Sequence, residues 1–145
     1  MNRIKLNLPD QFSFSTTLRI RVTDLNYGGH VGNDSFLSLI QEARQQYLLS
    51  FGYRELSVGD GVGLIMADAA IEFKKELNYG DEVKISVQAT DFDKLGFDLF
   101  YKMEVMQDAE WVIAGKAKTG MMCYDYKAGK KVSVPEEVVT RLSAV

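Results

Sequence analysis

The spacing of apolar positions along the chain switches between two periods. From Thr17 to Val22 the period is two: Leu18, Ile20 and Val22 alternate with Thr17, Arg19 and Arg21, which predicts a strand with one buried face. Between residues 34 and 51 it becomes helical. Phe36, Leu37, Leu39, Ile40, Ala43, Tyr47, Leu48 and Phe51 recur at that spacing, predicting a helix apolar over much of its circumference and enclosed by a sheet. Asn33, Asp34 or Ser35 can cap its start, and Gly52 suits its end. The rest of the chain returns to strands. Val62 to Leu77 also admits a helix through Met66-Ala67-Asp68-Ala69-Ala70, but Gly61, Gly63 and the turn Asn78-Tyr79-Gly80-Asp81 favour a strand. Glu82 to Thr90 alternates through Val83, Ile85, Val87 and Ala89. Asp93 to Gly96 makes a hairpin turn, and Phe97, Leu99, Tyr101, Met103 and Val105 resume the alternation. After a turn at Gln107–Glu110, Trp111 to Tyr126 forms a long last strand. Ser133-Val134-Pro135-Glu136 predicts a short closing helix, with Ser133 as cap and Glu136 reaching back.

Strand, long helix, then a four-strand meander defines an α+β chain: an antiparallel five-stranded sheet with one long helix across its face. Such a sheet leaves an edge to cover, which predicts pairing with a second copy. The 145 residues, 46% of them hydrophobic, suit one domain over 1–145 with a substantial core. The net charge of -3 and the pI near 5.2 weigh against nucleic acid as partner. The single cysteine allows no internal disulfide and is in keeping with a reducing cytoplasm. The opening residues Met1 to Leu8 lack the apolar core of a secretory signal, and no apolar run approaches membrane-spanning length. The expectation is a soluble cytoplasmic protein with no membrane partner.

Chemistry concentrates between the first strand and the helix. Asp24-Leu25-Asn26-Tyr27-Gly28-Gly29-His30-Val31-Gly32-Asn33-Asp34 gathers carboxylates, amides, three glycines and the only histidine at a helix N-terminus. Backbone N–H groups and the helix dipole at such a place can hold a carbonyl oxygen or an anion.

These residues resemble the hotdog-fold thioesterases of the 4-hydroxybenzoyl-CoA thioesterase type. The likeness is carried by Arg21-Val22-Thr23-Asp24 running into Asp24-x-Asn26-x-x-Gly29-His30-Val31-x-Asn33. Glu42-Ala43-Arg44 on the helix adds to it, as do Ile71-Glu72-Phe73-Lys74-Lys75 and Tyr79-Gly80-Asp81 beyond. The resemblance implies a hotdog fold assembled as a homodimer or homotetramer, with active sites between subunits. It implies hydrolysis of an acyl-CoA, or acyl-carrier-protein, thioester with coenzyme A only as part of the substrate and no metal. Backbone N–H groups around His30 to Gly32 would hold the thioester oxygen; Gly28, Gly29, Val31, Gly32 and Asn33 would contact substrate.

In many relatives the loop reads Asp-x-Asp, and the second Asp is the catalytic carboxylate; here that position is Asn26. An amide can orient water or donate to the carbonyl but is no base, so the base lies elsewhere. Asp24, Asp34, Glu42 and Glu72 are the candidates. Asp24 also suits a loop-fixing role, Asp34 a helix cap, and Glu42 a salt bridge with Arg19 or Arg21. His30 suits either a loop-fixing hydrogen bond or acid–base work. Asn33 can lock the loop. Cys123, among Met121, Met122 and Tyr124, reads as a packed thiol. Lys74, Lys75, Lys127, Lys130 and Lys131 are solvated charges or contacts for coenzyme A phosphates. The competing readings are an acyl-CoA binding module without turnover and a hotdog hydratase or dehydratase.

Overall fold

The computed structural model describes residues 1–145. In chain order it contains β1 (Phe14–Arg19), a 3-10 turn (Val22–Asp24), α1 (Asn33–Leu49), β2 (Gly63–Phe73), β3 (Glu82–Thr90), β4 (Gly96–Gln107), β5 (Glu110–Asp125), β6 (Lys130–Lys131) and α2 (Glu136–Ser143). The strands form one antiparallel sheet ordered β1-β3-β4-β5-β2, with the two-residue β6 paired to β5. The five expected strands are therefore joined by a short sixth.

Alternation on the meander turns one sheet face into the core. Val83, Ile85, Val87, Phe97, Leu99, Tyr101, Met103, Ala117, Met121 and Cys123 are all at most 3% exposed and form one cluster with Phe36, Leu39, Ile40, Ala43, Tyr47 and Leu48 of α1. Each large side chain so buried contributes about 1.5–3 kcal/mol. Under the first turn of the helix β5 carries Gly115, where a Cβ would come within 3.1 Å of the Phe36 ring and 3.7 Å of the Met103 sulfur. The β4–β5 register slips beside it, between Met103 and Glu104. A glycine at this irregularity lets the first turn of α1 settle onto the sheet.

Helix α2 closes the far end of α1 through buried Val138 and Leu142. The Tyr47 hydroxyl and the Gln88 side-chain amide both donate to the Leu142 carbonyl, each at 3.4 Å. Gln88 Oε1 accepts from the Ser13 N–H at 2.8 Å, so one side chain ties both chain ends to β3. No helix is long and apolar enough to cross a membrane.

Three local expectations are corrected. The first strand begins and ends earlier than Thr17–Val22, because β3, its partner, runs out at Glu82. Ile20 N–H then bonds Asp81 C=O, and Val22 enters the 3-10 turn 69% exposed. Helix α1 starts at Asn33 with Gly32 at its N-cap and no side-chain cap; Asn33, Asp34 and Ser35 do not cap it. Helix α2 starts at Glu136 after Pro135, so Ser133 and Glu136 form no capping box. Gly52 does end α1, in the left-handed region at φ +77°.

One polar group of the core was read only as part of a motif. Arg44 of α1 is 6% exposed and reaches both Glu55 and Tyr101, whose hydroxyl is 3.3 Å from Nη1 and 2.8 Å from Thr119 Oγ1. The contact pins the loop after α1 to the helix. Arg44→Ala strands Glu55 and Tyr101 without their cation. It is expected to destabilise the protein by roughly 3 kcal/mol, the lower end for opening a buried ion pair, because Glu55 retains some contact with water; urea unfolding measures it.

Candidate active site

The residues between Leu25 and Gly32 fold as a small stitched hairpin. Asn26 N–H donates to His30 C=O at 2.8 Å, Gly29 N–H to Asn26 C=O at 3.0 Å, and Gly28 N–H to Asn26 Oδ1 at 2.9 Å. Gly29 makes the reversal at φ +80°. Two longer-range bonds lock the hairpin in place: Val31 N–H to Leu77 C=O at 3.0 Å and Gly32 N–H to Asp24 C=O at 3.1 Å.

This changes which amides are free. Those of Gly28, Gly29, Val31 and Gly32 are engaged within the chain. His30 N–H and the uncapped N–H groups of Asn33, Asp34 and Ser35 have no acceptor, since the first bond of the helix is Phe36 N–H to Gly32 C=O. The donor cluster therefore sits one turn further into α1 than the glycines suggest, where the helix dipole adds to it.

The candidate residues fall into two cavities. The first, about 400 Å³, is lined by Asn26, Tyr27, Gly28, His30, Val31, Asn33 and Phe36 on one side and by Phe73, Lys74, Lys75 and Glu76 on the other. Phe36 and Phe73 meet edge to face at 5.0 Å. Because Asn26 Oδ1 is used by Gly28, its Nδ2 is the group left for a ligand. His30 Nδ1 hydrogen-bonds Asn78 Oδ1 at 2.9 Å, and Nε2 faces the exposed Glu76 Oε2 at 3.3 Å. The Asn78 amide offers both donor and acceptor, so it can serve either tautomer of the ring.

The second cavity, about 480 Å³, holds Asp24 and Glu42 with Arg19, Arg21, Ser38 and Leu39. Glu42 is exposed there, and neither arginine pairs with it: Arg19 faces Glu82 at 4.0 Å and Arg21 faces Asp24 at 3.6 Å. Asp24 is 5% exposed and accepts the Arg21 N–H at 2.8 Å, the geometry of a loop-fixing carboxylate. Both carboxylates thus line a different cavity from Asn26 and His30. Asp34 is exposed on the first turn of α1. Glu72 accepts the Leu6 N–H at 3.0 Å and pairs with Lys74 at 2.7 Å; these two partners hold its carboxyl below the usual carboxylate range.

Glu76 is the carboxylate that the sequence reading passed over. It follows Lys74-Lys75 at the end of β2 and looks like one more solvated charge. What brings it to His30 is the tertiary stitching of Leu77 and Asn78 to the hairpin, which no local pattern reports.

An antiparallel sheet packed on one long helix, with the uncapped start of that helix at the edge of a cavity, defines a hotdog-fold protein. The chain belongs to the Thioesterase-like superfamily, whose model matches residues 20–142. It is 27% identical over 121 residues to a 1,4-dihydroxy-2-naphthoyl-CoA hydrolase of Microcystis aeruginosa, spanning 82% of this chain and 85% of that one. Its fold is shared by a 1,4-dihydroxy-2-naphthoyl-CoA thioesterase from Synechocystis (TM-score 0.78, 23% identity, 91% and 96% of the two chains). An aspartate-to-asparagine mutant of a 4-hydroxybenzoyl-CoA thioesterase, complexed with 4-hydroxybenzoyl-CoA, is similar in fold as well (TM-score 0.80, 16% identity, 90% and 98%).

Cys123 is fully enclosed, and burial pushes its thiol up to about 11 from an ordinary 9.0. Between these values the unfolded chain loses the thiol proton while the native chain keeps it. Native stability is therefore complete below pH 9 and falls as pH rises towards 11, by up to about 1.4 kcal/mol per pH unit from this group. Cys123→Ala is expected to remove that part of the slope in unfolding measured from pH 8 to 11.

Proposed function

We propose that the protein hydrolyses an acyl-CoA thioester to free acid and thiol in the cavity shared by Asn26, His30 and Glu76. The observation that carries this reading is the Glu76–His30 contact, which supplies a carboxylate base where the loop itself offers only an amide. Water attacks the thioester carbon and loses its proton to Glu76, which sits beside His30 Nε2 at 3.3 Å. The carbonyl oxygen gains negative charge and is met by Asn26 Nδ2 and the free amides at the start of α1. Collapse of the tetrahedral adduct breaks the carbon–sulfur bond, and the proton held by Glu76 returns to the leaving thiolate. Water alone balances the reaction, so no cofactor is required beyond the coenzyme A moiety of the substrate. Lys74 and Lys75 on the rim suit its phosphates; an acyl-carrier-protein thioester would present the same bond.

A second copy of the chain completes the assembly in this reading, as a homodimer or a pair of dimers. Strand β2 is one edge of the sheet and leaves Met66 to Ala69 exposed, the surface such a copy would cover. Light scattering is expected to give a mass of at least twice 16.3 kDa; a monomer at micromolar concentration would contradict it.

Purified protein is expected to release thiol from at least one of a panel of short, long and aromatic acyl-CoA esters, followed with a thiol-reactive dye. No turnover above background on any of them removes the hydrolase reading, and tight binding without turnover leaves an acyl-CoA binding module. Glu76→Gln is expected to lower kcat by about 10²-fold or more with little change in KM, as for a lost general base. Asn26→Ala should cost kcat about 10²-fold, as for a lost oxyanion donor, whereas Glu42→Gln in the separate cavity should leave kcat within about 2-fold.

A further inference from the structure

The stretch before β1 lies outside the family match, which begins at residue 20, yet it is bound to the sheet by specific contacts. Leu6, Leu8 and Phe12 are half-buried, and Phe12 lies under the Lys102 ammonium at 5.0 Å from the ring centre. The decisive anchor is Leu6. Its N–H donates to Glu72 Oε1 at 3.0 Å, and its C=O accepts from Lys116 Nζ at 3.4 Å.

Glu72 has two lysines within reach. Lys116 stands directly opposite it in the β2–β5 register, and Lys74 lies two residues on, just past the end of β2. Lys116 is in turn opposite Lys102 across β4, a like-charged pair that disfavours the sheet unless something intervenes. With the arm docked, the Leu6 carbonyl takes the Lys116 ammonium and the Leu6 N–H takes one carboxylate oxygen. That leaves Glu72 Oε2 for Lys74, at 2.7 Å. Lys74 is one of the lysines that line the His30 cavity.

We propose that the N-terminal arm is part of the substrate site: by dividing Lys116 and Lys74 between Leu6 and Glu72, it holds Lys74 at the cavity rim to meet a phosphate-bearing ligand. Glu72 is thus a positioning residue and Lys74 the contacting one. The ligand half of this inference rests on the thioesterase reading; the arm–lysine coupling does not. Without the arm, Lys116 loses the Leu6 carbonyl and turns to the carboxylate opposite it, sharing the Glu72 charge that Lys74 otherwise holds alone, so Lys74 is held less tightly. A tethered lysine has less rotamer freedom to lose when a phosphate arrives, and one of its three N–H donors is enough for Glu72, leaving two for the ligand.

The test compares the full chain with a form lacking residues 1–8 and with Leu6→Pro, which removes the donor to Glu72 along with the half-buried leucine side chain. Acetylation of lysines by a water-soluble active ester, read by mass spectrometry, is expected to label Lys74 about two- to five-fold faster in both variants, the range an exposed ion pair supports. Unchanged Lys74 labelling overturns the coupling, whether or not the protein binds coenzyme A. Calorimetry with coenzyme A is expected to show binding weakened by a similar factor on truncation, and no further weakening when Lys74→Met is already present. Equal or tighter binding after truncation, or full additivity with Lys74→Met, overturns the role in the site. Failure of the full-length protein to bind coenzyme A overturns the thioesterase reading instead, while the labelling still judges the arm.

Discussion

Two amide-to-carbonyl bonds govern the upper end of this molecule: Val31 to Leu77 and Gly32 to Asp24. The first joins the hairpin before α1 to the segment after β2. The second fastens the hairpin to the turn that follows β1. Because Gly32 is both a donor in this stitching and the N-cap of α1, the helix begins where the hairpin is anchored, and its first amides are left pointing outward. The same anchoring carries Asn78 and Glu76 to either side of the imidazole of His30. Without the two bonds, residues some fifty positions apart would have no reason to share a cavity.

The position of the donors depends in turn on the core. Helix α1 turns Ala43, Tyr47 and Leu48 to the sheet with no exposure at all, and Gly115 lets its first turn sink against β5. A helix packed against β1 and β3 cannot tilt without opening those contacts. Its N-terminus is therefore a fixed object, which is what an electrostatic site requires: donors that are already oriented do not need to reorganise when charge develops. Arg44 extends this fixity to the loop after the helix by pairing with Glu55.

Much of this was legible in the sequence, for identifiable reasons. Period-two alternation through β3 and β4 and the helical repeat from Phe36 to Leu48 mark buried faces directly, so element order and the α+β class followed from them. The concentration of Asn26, His30 and Asn33 beside a helix start is matched by one cavity that all three line. Two things were not legible. Helix caps were assigned to polar residues at the right place, whereas the backbone of Gly32 begins the helix because its N–H is already committed to Asp24. The division of the carboxylates was hidden as well. Asp24 of the loop motif and Glu42 of the helix line a different cavity from His30, and Glu76 reaches His30 only through tertiary contacts of its neighbours.

The sheet face against α1 is filled by side chains that the core cannot spare, yet the walls of the His30 cavity are of another kind. Tyr27 stands fully in solvent and Phe73 is 46% exposed. Substitutions at such places remove little buried area and cost little stability. A lineage carrying this chain can therefore change what fits beside His30 by altering one or two aromatic rings, leaving foldability untouched. What fills that cavity is the trait most open to drift in such a scaffold, and the backbone-stitched hairpin is the least.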